Sequence, residues 1–422
     1  MRQPVALLIV ALLAVGSLAL GEAQLRPAEC RNENFVVNGQ GTSNVLDGKG
    51  EAATTELPTN VAASVNAFGF KLFDNVLPKV EDGNVVFSPL SLAASMSLLH
   101  IGAANETQEE IGLVLEYVSE CYPFVLQDLL EGYKDPEVSE QVSLATRLYV
   151  QAGLDIKEDF IDTVGEDNVQ KTDFANSENV TQEVNDWVAN QTRGLIKDLL
   201  APGQLDVSTV MALVNALYFQ GAWMSPFESE NTFKGMFNGT KGVVETDFMN
   251  QTISNVKFDP DEQILELPYQ GGRFSMVVML APNPGDDVSS LLSLGPILVP
   301  SVLDDPAFGF STVKVNFPKF SFEQEHDLTS ILPELGIEKV FTNEADLSGI
   351  SDVPLKVDAA VHKARITVDE EGTEAAAADA SLIVPLFSLE NSFVADRPFI
   401  FMIRDNASKL FLFMGAYSNP KS

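Results

Sequence analysis

Residues 361–378 read VHKARITVDEEGTEAAAA, and residues 379–392 continue as DASLIVPLFSLENS. Beyond Gly372 the chain is rich in alanine, and alanine favours a short helix. The alternative is a mobile loop whose small side chains slip between two strands already in place. Since successive strand residues point to opposite faces, one face would then carry Thr373, Ala375, Ala377 and Asp379.

The remainder of the chain from 60 to 420 predicts a mixture of helices and strands. Apolar spacing predicts a helix that is capped by Thr59 and runs to Val76, and Ser88 with Pro89 opens a second helix that ends at Gly102. A capping box of Thr107 and Glu110 predicts a third. The residues 142–150, 210–219, 274–281 and 313–317 read as strands, and 180–200 as a helix. With no internal repeat and no break in composition, one large α+β domain is expected.

The N-terminus has the pattern of a secretory signal peptide. Arg2 precedes an apolar run over 5–20, and the small residues Gly21 and Ala23 follow it. We therefore expect residues 1–23 to be removed, 24–59 to form a flexible extension, and the mature protein to be secreted.

The two cysteines, Cys30 and Cys121, fit the same compartment, because thiols pair in an oxidising environment. Free thiols, or pairing with another chain, are the alternatives. Six sequons are glycosylation candidates, at Asn105, Asn179, Asn190, Asn238, Asn250 and Asn406.

The composition argues against several classes of function. A formal net charge of −34 repels phosphate backbones and anionic membranes, so neither nucleic acid nor a membrane is an expected partner. The three histidines, His100, His326 and His362, lie in no metal-binding or catalytic motif, and no phosphate-binding loop is found. We therefore expect no enzyme activity, no metal and no cofactor.

Several stretches, in order, resemble the serpin family of serine protease inhibitors. Besides the hinge-like segment at 361–378, they are NVVFSPLSLAASMSLLHIGAANET at 84–107, VNALYFQGAWMSPF at 214–227, NFPKF at 316–320, LGIEKVFTNEADLSGI at 335–350 and FVADRPFIFMIRDNASKLFLFMGAYSNP at 393–420. The resemblance covers nearly everything from about 60 to 420, and we expect a single domain over 60–422. It implies an α+β fold of three β-sheets and eight to nine helices, with an exposed reactive loop at about 371–392.

The resemblance also implies a mechanism. A target serine protease attacks the loop, forms a covalent 1:1 acyl-enzyme complex with a monomeric inhibitor, and is trapped when the cut loop inserts into the largest sheet. Counting from the hinge glycine places the reactive bond at Leu386–Phe387, with Phe387–Ser388 as the alternative. An apolar residue before the cut fits chymotrypsin-like or other apolar-specific proteases. The implied hinge comprises Glu371, Gly372, Thr373, Glu374, Ala375, Ala376, Ala377 and Ala378.

Two features depart from the family pattern. Asp379 falls on the face that turns inward on insertion, where an unpaired carboxylate would slow the process. A non-inhibitory carrier or binding protein on the same fold is the alternative that this residue favours. The 112–140 segment, where some serpins carry a heparin-binding helix, has Lys134 as its single basic residue among many acidic ones, which argues against heparin activation there.

Overall fold

The computed structural model describes residues 26–27, 30, 44–46, 52–54, 57–305, 309–373 and 391–420. The predicted signal peptide, and most of the extension predicted over 24–59, lie outside these residues. The helices are α1 (Leu57–Val76), α2 (Pro89–Gly102), α3 (Asn105–Val114), α4 (Tyr122–Glu131), α5 (Pro136–Ser139), α6 (Glu158–Val164), α7 (Ser177–Gln191), α8 (Ser289–Leu303) and α9 (Leu328–Leu335).

In chain order the strands are β1 (Asn44–Leu46), β2 (Ala52–Thr54), β3 (Val85–Phe87), β4 (Val142–Gln151), β5 (Val169–Thr172), β6 (Met211–Phe219), β7 (Gly221–Ala222), β8 (Phe233–Gly239), β9 (Gly242–Asp259), β10 (Ile264–Pro268), β11 (Phe274–Leu280), β12 (Phe310–Pro318), β13 (Phe320–Asp327), β14 (Ala359–Val368), β15 (Gly372–Thr373), β16 (Asn391–Val394), β17 (Phe399–Asp405) and β18 (Phe411–Tyr417). Four strands, β4, β6, β11 and β12, match the predicted runs, and the structure adds others that were not predicted, among them the long strands β9 and β14.

Three sheets form the body, which confirms the expected α+β fold. A five-stranded sheet has the order β13-β14-β6-β4-β5. The long strand β9 belongs to both of the others: β16, β12 and β8 pair along one part of it, and β10, β11, β17, β18 and β3 continue the sheet from the other. In the five-stranded sheet β14 and β6 are neighbours and run parallel.

Helix α2 lies at the centre of the molecule. It contacts β4 and β6 of the five-stranded sheet on one side and β18 on the other. All its residues except His100 are buried. Such a helix reads as apolar or small on every side, which fits burial between two layers.

The observed helix boundaries show which helix starts could be predicted from local sequence signals. Ser88 caps α2 as predicted, its hydroxyl accepting from the Ser91 amide at 3.0 Å. The predicted cap Thr59 is wrong, because α1 begins earlier, at Leu57. The capping box is also wrong: α3 begins at Asn105, so Thr107 and Glu110 lie inside the helix.

The helix predicted over 180–200 ends at Gln191 instead. The Thr192 hydroxyl bonds the Val188 and Ile196 carbonyls and closes the last turn, and Gly194 follows with a φ of +81°. Among the described residues, none of the helices combines the length and the apolarity that a membrane span requires.

Candidate functional site

The chain reverses direction where β14 ends, at a turn held by Asp369. Its carboxylate accepts hydrogen bonds from the amides of Glu371 (3.0 Å) and Gly372 (3.3 Å). Its own amide donates to the Gly372 carbonyl at 3.0 Å. The turn therefore directs the following residues back, antiparallel to β14.

After this turn, Gly372 and Thr373 form β15, which pairs antiparallel with β7. The two strands approach so closely that a Cβ on Gly372 would lie 2.1 Å from the Gly221 carbonyl oxygen. Gly221 is equally constrained, since its own Cβ would meet the Phe219 and Tyr269 rings at 2.8 Å. Glycine at both positions is thus a requirement of this contact.

Thr373, the last described residue before the alanine-rich segment, is buried, with 2% of its surface exposed. Its hydroxyl shares a hydrogen bond of 2.8 Å with the Tyr269 phenol. Burial raises the pKa of Tyr269, so the phenol stays neutral. The ring of Trp223 stacks on Tyr269 at 4.6 Å, and the Trp223 indole N–H donates to the Asp369 carbonyl at 3.0 Å.

Glu370 fastens the other side of the turn. Its carboxylate accepts from Thr232 at 2.7 Å and pairs with Lys319 at 2.6 Å. Burial disfavours the ionised carboxylate, but the bonds from Lys319 and Thr232 outweigh it and lower the pKa of Glu370. The turn is therefore held by the ion pair of Glu370 with Lys319 as well as by aromatic packing.

The strands β6 and β14 are not paired along their whole length, and we call the unpaired part between them, which is in line with β15, the slot. The two strands pair from Ala359↔Ala212 to Ala364↔Leu217. Beyond that point both strands continue, and a small cavity opens between them, lined by Leu195, Ile196, Leu217, Tyr218, Phe219, Arg365 and Thr367. Because β7 follows β6 after one residue, an extension of β15 along the same partner leads into this slot.

Where the slot ends, buried polar side chains hold β14 and β6 together. The His362 Nδ1 and Asn215 Oδ1 atoms lie 2.6 Å apart, and the Ser88 amide donates to His362 Nε2 at 3.0 Å. Asn215 also donates to the Ser91 carbonyl and the Ser95 hydroxyl of α2. His326 stacks beside His362 with ring centres 5.9 Å apart. Burial, and next the neighbouring His326, hold the pKa of His362 well below its usual value.

The family model for serpin (serine protease inhibitor) matches residues 63–420. The chain belongs to the serpin family. It is 32% identical over 380 residues to neuroserpin of Rattus norvegicus, covering 85% of this chain and 92% of that protein. It is also 32% identical over 381 residues to leukocyte elastase inhibitor of Xenopus laevis, covering 86% of this chain and 100% of that protein.

Among solved structures, this serpin is similar to the crystal structure of maspin. The TM-score is 0.78 at 27% sequence identity, and the match covers 87% of this chain and 100% of that one. The fold expected from the resemblance is therefore confirmed. Membership of this family, and the similarity to an elastase inhibitor, support serine protease inhibition as the general function.

The structure places only part of the predicted functional segment of this serpin. Of the predicted hinge, Glu371, Gly372 and Thr373 form the turn and β15. The hinge residues Glu374 and Ala375–Ala378, Asp379, and both candidate bonds at Leu386, Phe387 and Ser388, lie outside the described residues. The disulfide between Cys30 and Cys121 is confirmed, with Cα atoms 5.3 Å apart.

The six sequons divide into two groups by exposure. Asn105, Asn179 and Asn190 are exposed, whereas Asn238, Asn250 and Asn406 are half-buried. The side chains of the second group are hydrogen-bonded: that of Asn238 donates to the Asp396 carbonyl, that of Asn250 donates to Asn316, and that of Asn406 donates to the Gly272 carbonyl. In the first group the side chain of Asn105 is also hydrogen-bonded, and donates to the Asp346 carboxylate at 2.6 Å. Occupancy stays a prediction, and by exposure and hydrogen bonding Asn179 and Asn190 offer the better acceptors.

Sequence reasoning missed the cluster around His362. His326 and His362 belong to no catalytic or metal-binding motif; they join the five-stranded sheet to β3 and to the start of α2. The contacting residues lie far apart in sequence, since 147 positions separate His362 from Asn215. Without a topology for the sheet, nothing local indicates that they meet.

Proposed function

We propose that this serpin is a secreted inhibitor that traps serine proteases covalently, by inserting its cleaved loop into the five-stranded sheet. The observation that carries the proposal is β15. Its antiparallel pairing with β7 is the direction that a new strand between β6 and β14 must take. Gly372 and Thr373 would thus be the first two residues of the strand that insertion completes.

The pattern of small residues agrees with that register. If the pairing Thr373↔Gly221 is continued along β6, Ala375 falls opposite Phe219 and Ala377 opposite Leu217. Both partners are buried in the main core. Alanine fits such a tightly packed face without displacing its neighbours, which favours insertion over the short-helix alternative.

The chemistry uses the catalytic groups of the protease. The protease serine oxygen bonds to the Leu386 carbonyl carbon, the Leu386–Phe387 C–N bond breaks, and the serine proton passes through the protease histidine to the new amino group of Phe387. The chain up to Leu386 remains ester-linked to the protease. Insertion must then outrun the water that would hydrolyse this ester.

The proposed targets have an apolar primary specificity pocket. Leu386, or Phe387 if the cut lies one bond later, presents a large apolar side chain, which chymotrypsin-like proteases accept. Trypsin-like proteases, which require Arg or Lys before the cut, do not fit. We further propose that the covalent complex is 1:1, that the free protein is a monomer, and that heparin does not bind the acidic 112–140 segment.

Secretion is supported by the disulfide. A bond between Cys30 and Cys121 persists in an oxidising compartment and is rare in the cytosol. The apolar N-terminal run at 5–20 and the exposed sequons agree with this location.

The test is to mix the protein with chymotrypsin and a panel of other apolar-specific proteases, and to resolve the products by denaturing electrophoresis. We expect a band at the summed mass that survives denaturation, and a C-terminal peptide whose mass identifies the cleaved bond. Trypsin is the matched negative control. If cleavage occurs with no such band for any protease of the panel, covalent trapping is wrong.

A non-inhibitory carrier or binding protein remains the second candidate, favoured by Asp379. The melting temperatures of the intact and the cleaved protein distinguish the two functions. Cleavage in the loop should raise the melting temperature of a trapping serpin, because the inserted strand adds hydrogen bonds and buried area. In a carrier that cannot insert, cleavage leaves the melting temperature unchanged.

A further inference from the structure

A cavity of about 570 Å³ lies beside β4, between α4 and α6, and opens to the surface. Arg26 borders it on the α4 side, where its guanidinium holds the Asp128 carboxylate with two hydrogen bonds of 2.6 and 3.2 Å. The apolar part of the wall comprises Leu98 of α2, Leu130 of α4, Leu144 of β4 and Val164 of α6. Cavities of this volume accommodate a small molecule or a few residues of a peptide.

Strand β4 has a free edge along this cavity. On one side it pairs with β6, from Val142↔Phe219 to Val150↔Met211. On the other side β5 covers only residues 148–151 of β4. In the part of the chain that the structure describes, no strand lies beside residues 142–147 on that side. A free edge presents main-chain N–H and C=O groups that pair readily with another strand.

The register shows which residues direct these groups into the cavity. The Gln151 amide donates to the Val210 carbonyl, at the end of β4 where it pairs with the β6 side. In an antiparallel pair only alternate residues bond the partner strand, so the odd-numbered residues of β4 face β6. The even-numbered residues face the opposite edge. Val142, Leu144 and Thr146, which all line the cavity, therefore direct their N–H and C=O groups into it.

The cavity wall also carries buried groups that need a partner. Val142 is fully buried, and a buried main-chain group without a hydrogen bond is unfavourable. The side-chain nitrogen of Gln127 is buried at the same wall and has no hydrogen-bond partner among the described residues. Because the main-chain groups of the wall follow one strand edge, a ligand that satisfies them needs regularly spaced main-chain groups of its own.

We propose that the free edge of β4 binds an extended peptide segment of a partner protein. The segment adds a strand to the five-stranded sheet, beside residues 142–146 of β4 and end to end with β5. At about 3.3 Å per residue these positions pair with a segment of about five residues. The site is separate from the slot between β6 and β14, and the proposal does not depend on the proposed inhibition of proteases.

The charges around the cavity indicate which segment fits. Arg26 is paired with Asp128, and Lys134 with Glu131. Asp162 of α6 also lines the cavity, is exposed, and forms no ion pair among the described residues. A lysine or arginine in the segment therefore meets a free carboxylate, whereas an acidic segment meets only cations that are already paired. Apolar residues at alternate positions of the segment pack on the apolar wall.

The direct test is the binding of a fluorescein-labelled peptide, Val-Thr-Val-Lys-Val amide, to the full-length protein, measured by fluorescence anisotropy. Two further peptides of the same sequence carry N-methyl groups, one at the odd and one at the even positions. An N-methyl group removes the main-chain donor on one edge of the peptide only. Since pairing with β4 uses a single edge, we expect one of these two peptides to lose binding and the other to keep it.

Substitutions in β4 test the same contact from the protein. Leu144→Pro removes the N–H that points into the cavity, and it spares the bonds to β6 because residue 144 makes none. Leu144→Ala removes the same side chain but keeps the N–H, and it is the matched control. We expect the proline variant to bind the peptide about tenfold more weakly than the alanine variant, the order of one unsatisfied hydrogen-bonding group. Melting temperatures show whether both variants are folded, and if the proline variant is not, the N-methylated peptides decide.

The charge is tested with Asp162→Asn, and Asp159→Asn is the control on the same helix, since Asp159 does not line the cavity. We expect Asp162→Asn to weaken binding of the lysine peptide about two- to fivefold, the order of an exposed ion pair, and to leave binding of a peptide with Gln in place of Lys unchanged. Absence of binding to the unsubstituted protein, binding that survives in both N-methylated peptides, or equal affinities of folded Leu144→Pro and Leu144→Ala overturns the proposal.

Discussion

At the scale of single residues, burial decides how the three histidines behave. His326 and His362 lie on the face of the five-stranded sheet that meets β3 and α2, and His100 packs against the ring of Tyr117 at the end of α2. In all three cases burial lowers the pKa, to about 4 for His100. Each histidine is therefore neutral in the intact protein at pH 7 and is charged more readily in the unfolded chain.

This difference predicts acid sensitivity. Because the unfolded chain binds protons near pH 6.5 and the folded protein does not, the free energy of unfolding falls as the pH drops from 7 to 5. For His100 the two pKa values imply a contribution of about 1–2 kcal/mol over that range. We expect His100→Gln to remove this part of the loss, measured as urea unfolding at pH 7 and pH 5. Identical pH dependence in both proteins would contradict the assignment.

At the scale of elements, what could be predicted from the sequence depended on whether the signal was local. The Ser88 cap and the apolar runs of β4, β6 and β11 act within a few residues, so α2 and these three strands were predicted correctly. The capping box failed because tertiary contacts engage both residues: Thr107 accepts from the Asp346 amide, and Glu110 from the amides of Glu338 and Lys339. The resemblance identified Gly372 as the hinge glycine. Its close contact with Gly221 could not be predicted without knowing which strands are neighbours.

The inserted-strand register makes a prediction at this scale. Ala377 would face Leu217 and the buried core, so Ala377→Glu places an unpaired carboxylate there and should convert the inhibitor into a substrate. The control is Ala377→Ser, whose small side chain fits the same space. We expect the yield of covalent complex with chymotrypsin to fall at least about tenfold for Glu and little for Ser. Equal yields would show that residue 377 does not enter the sheet on its inward face.

At the scale of the whole molecule, the charge of −34 acts before any loop is cut. A field of one sign accelerates encounter with a partner of opposite charge and slows encounter with one of the same charge. Salt weakens both effects, because the screening length shortens from about 30 Å at 0.01 M to about 8 Å at 0.15 M ionic strength. In the proposed mechanism the loop selects proteases by their primary specificity pocket, and the body of the protein should select among them by charge.

Two proteases with the same apolar preference but opposite net charge test this. We expect the second-order rate of inhibition of the cationic enzyme to fall as salt is raised from 0.01 to 0.15 M, and that of the anionic enzyme to rise or stay constant. Because the same loop is cut in both cases, the ratio of the two rates isolates the long-range field from the chemistry of acylation. A ratio that does not change with salt would mean that the acidic surface has no part in choosing the target.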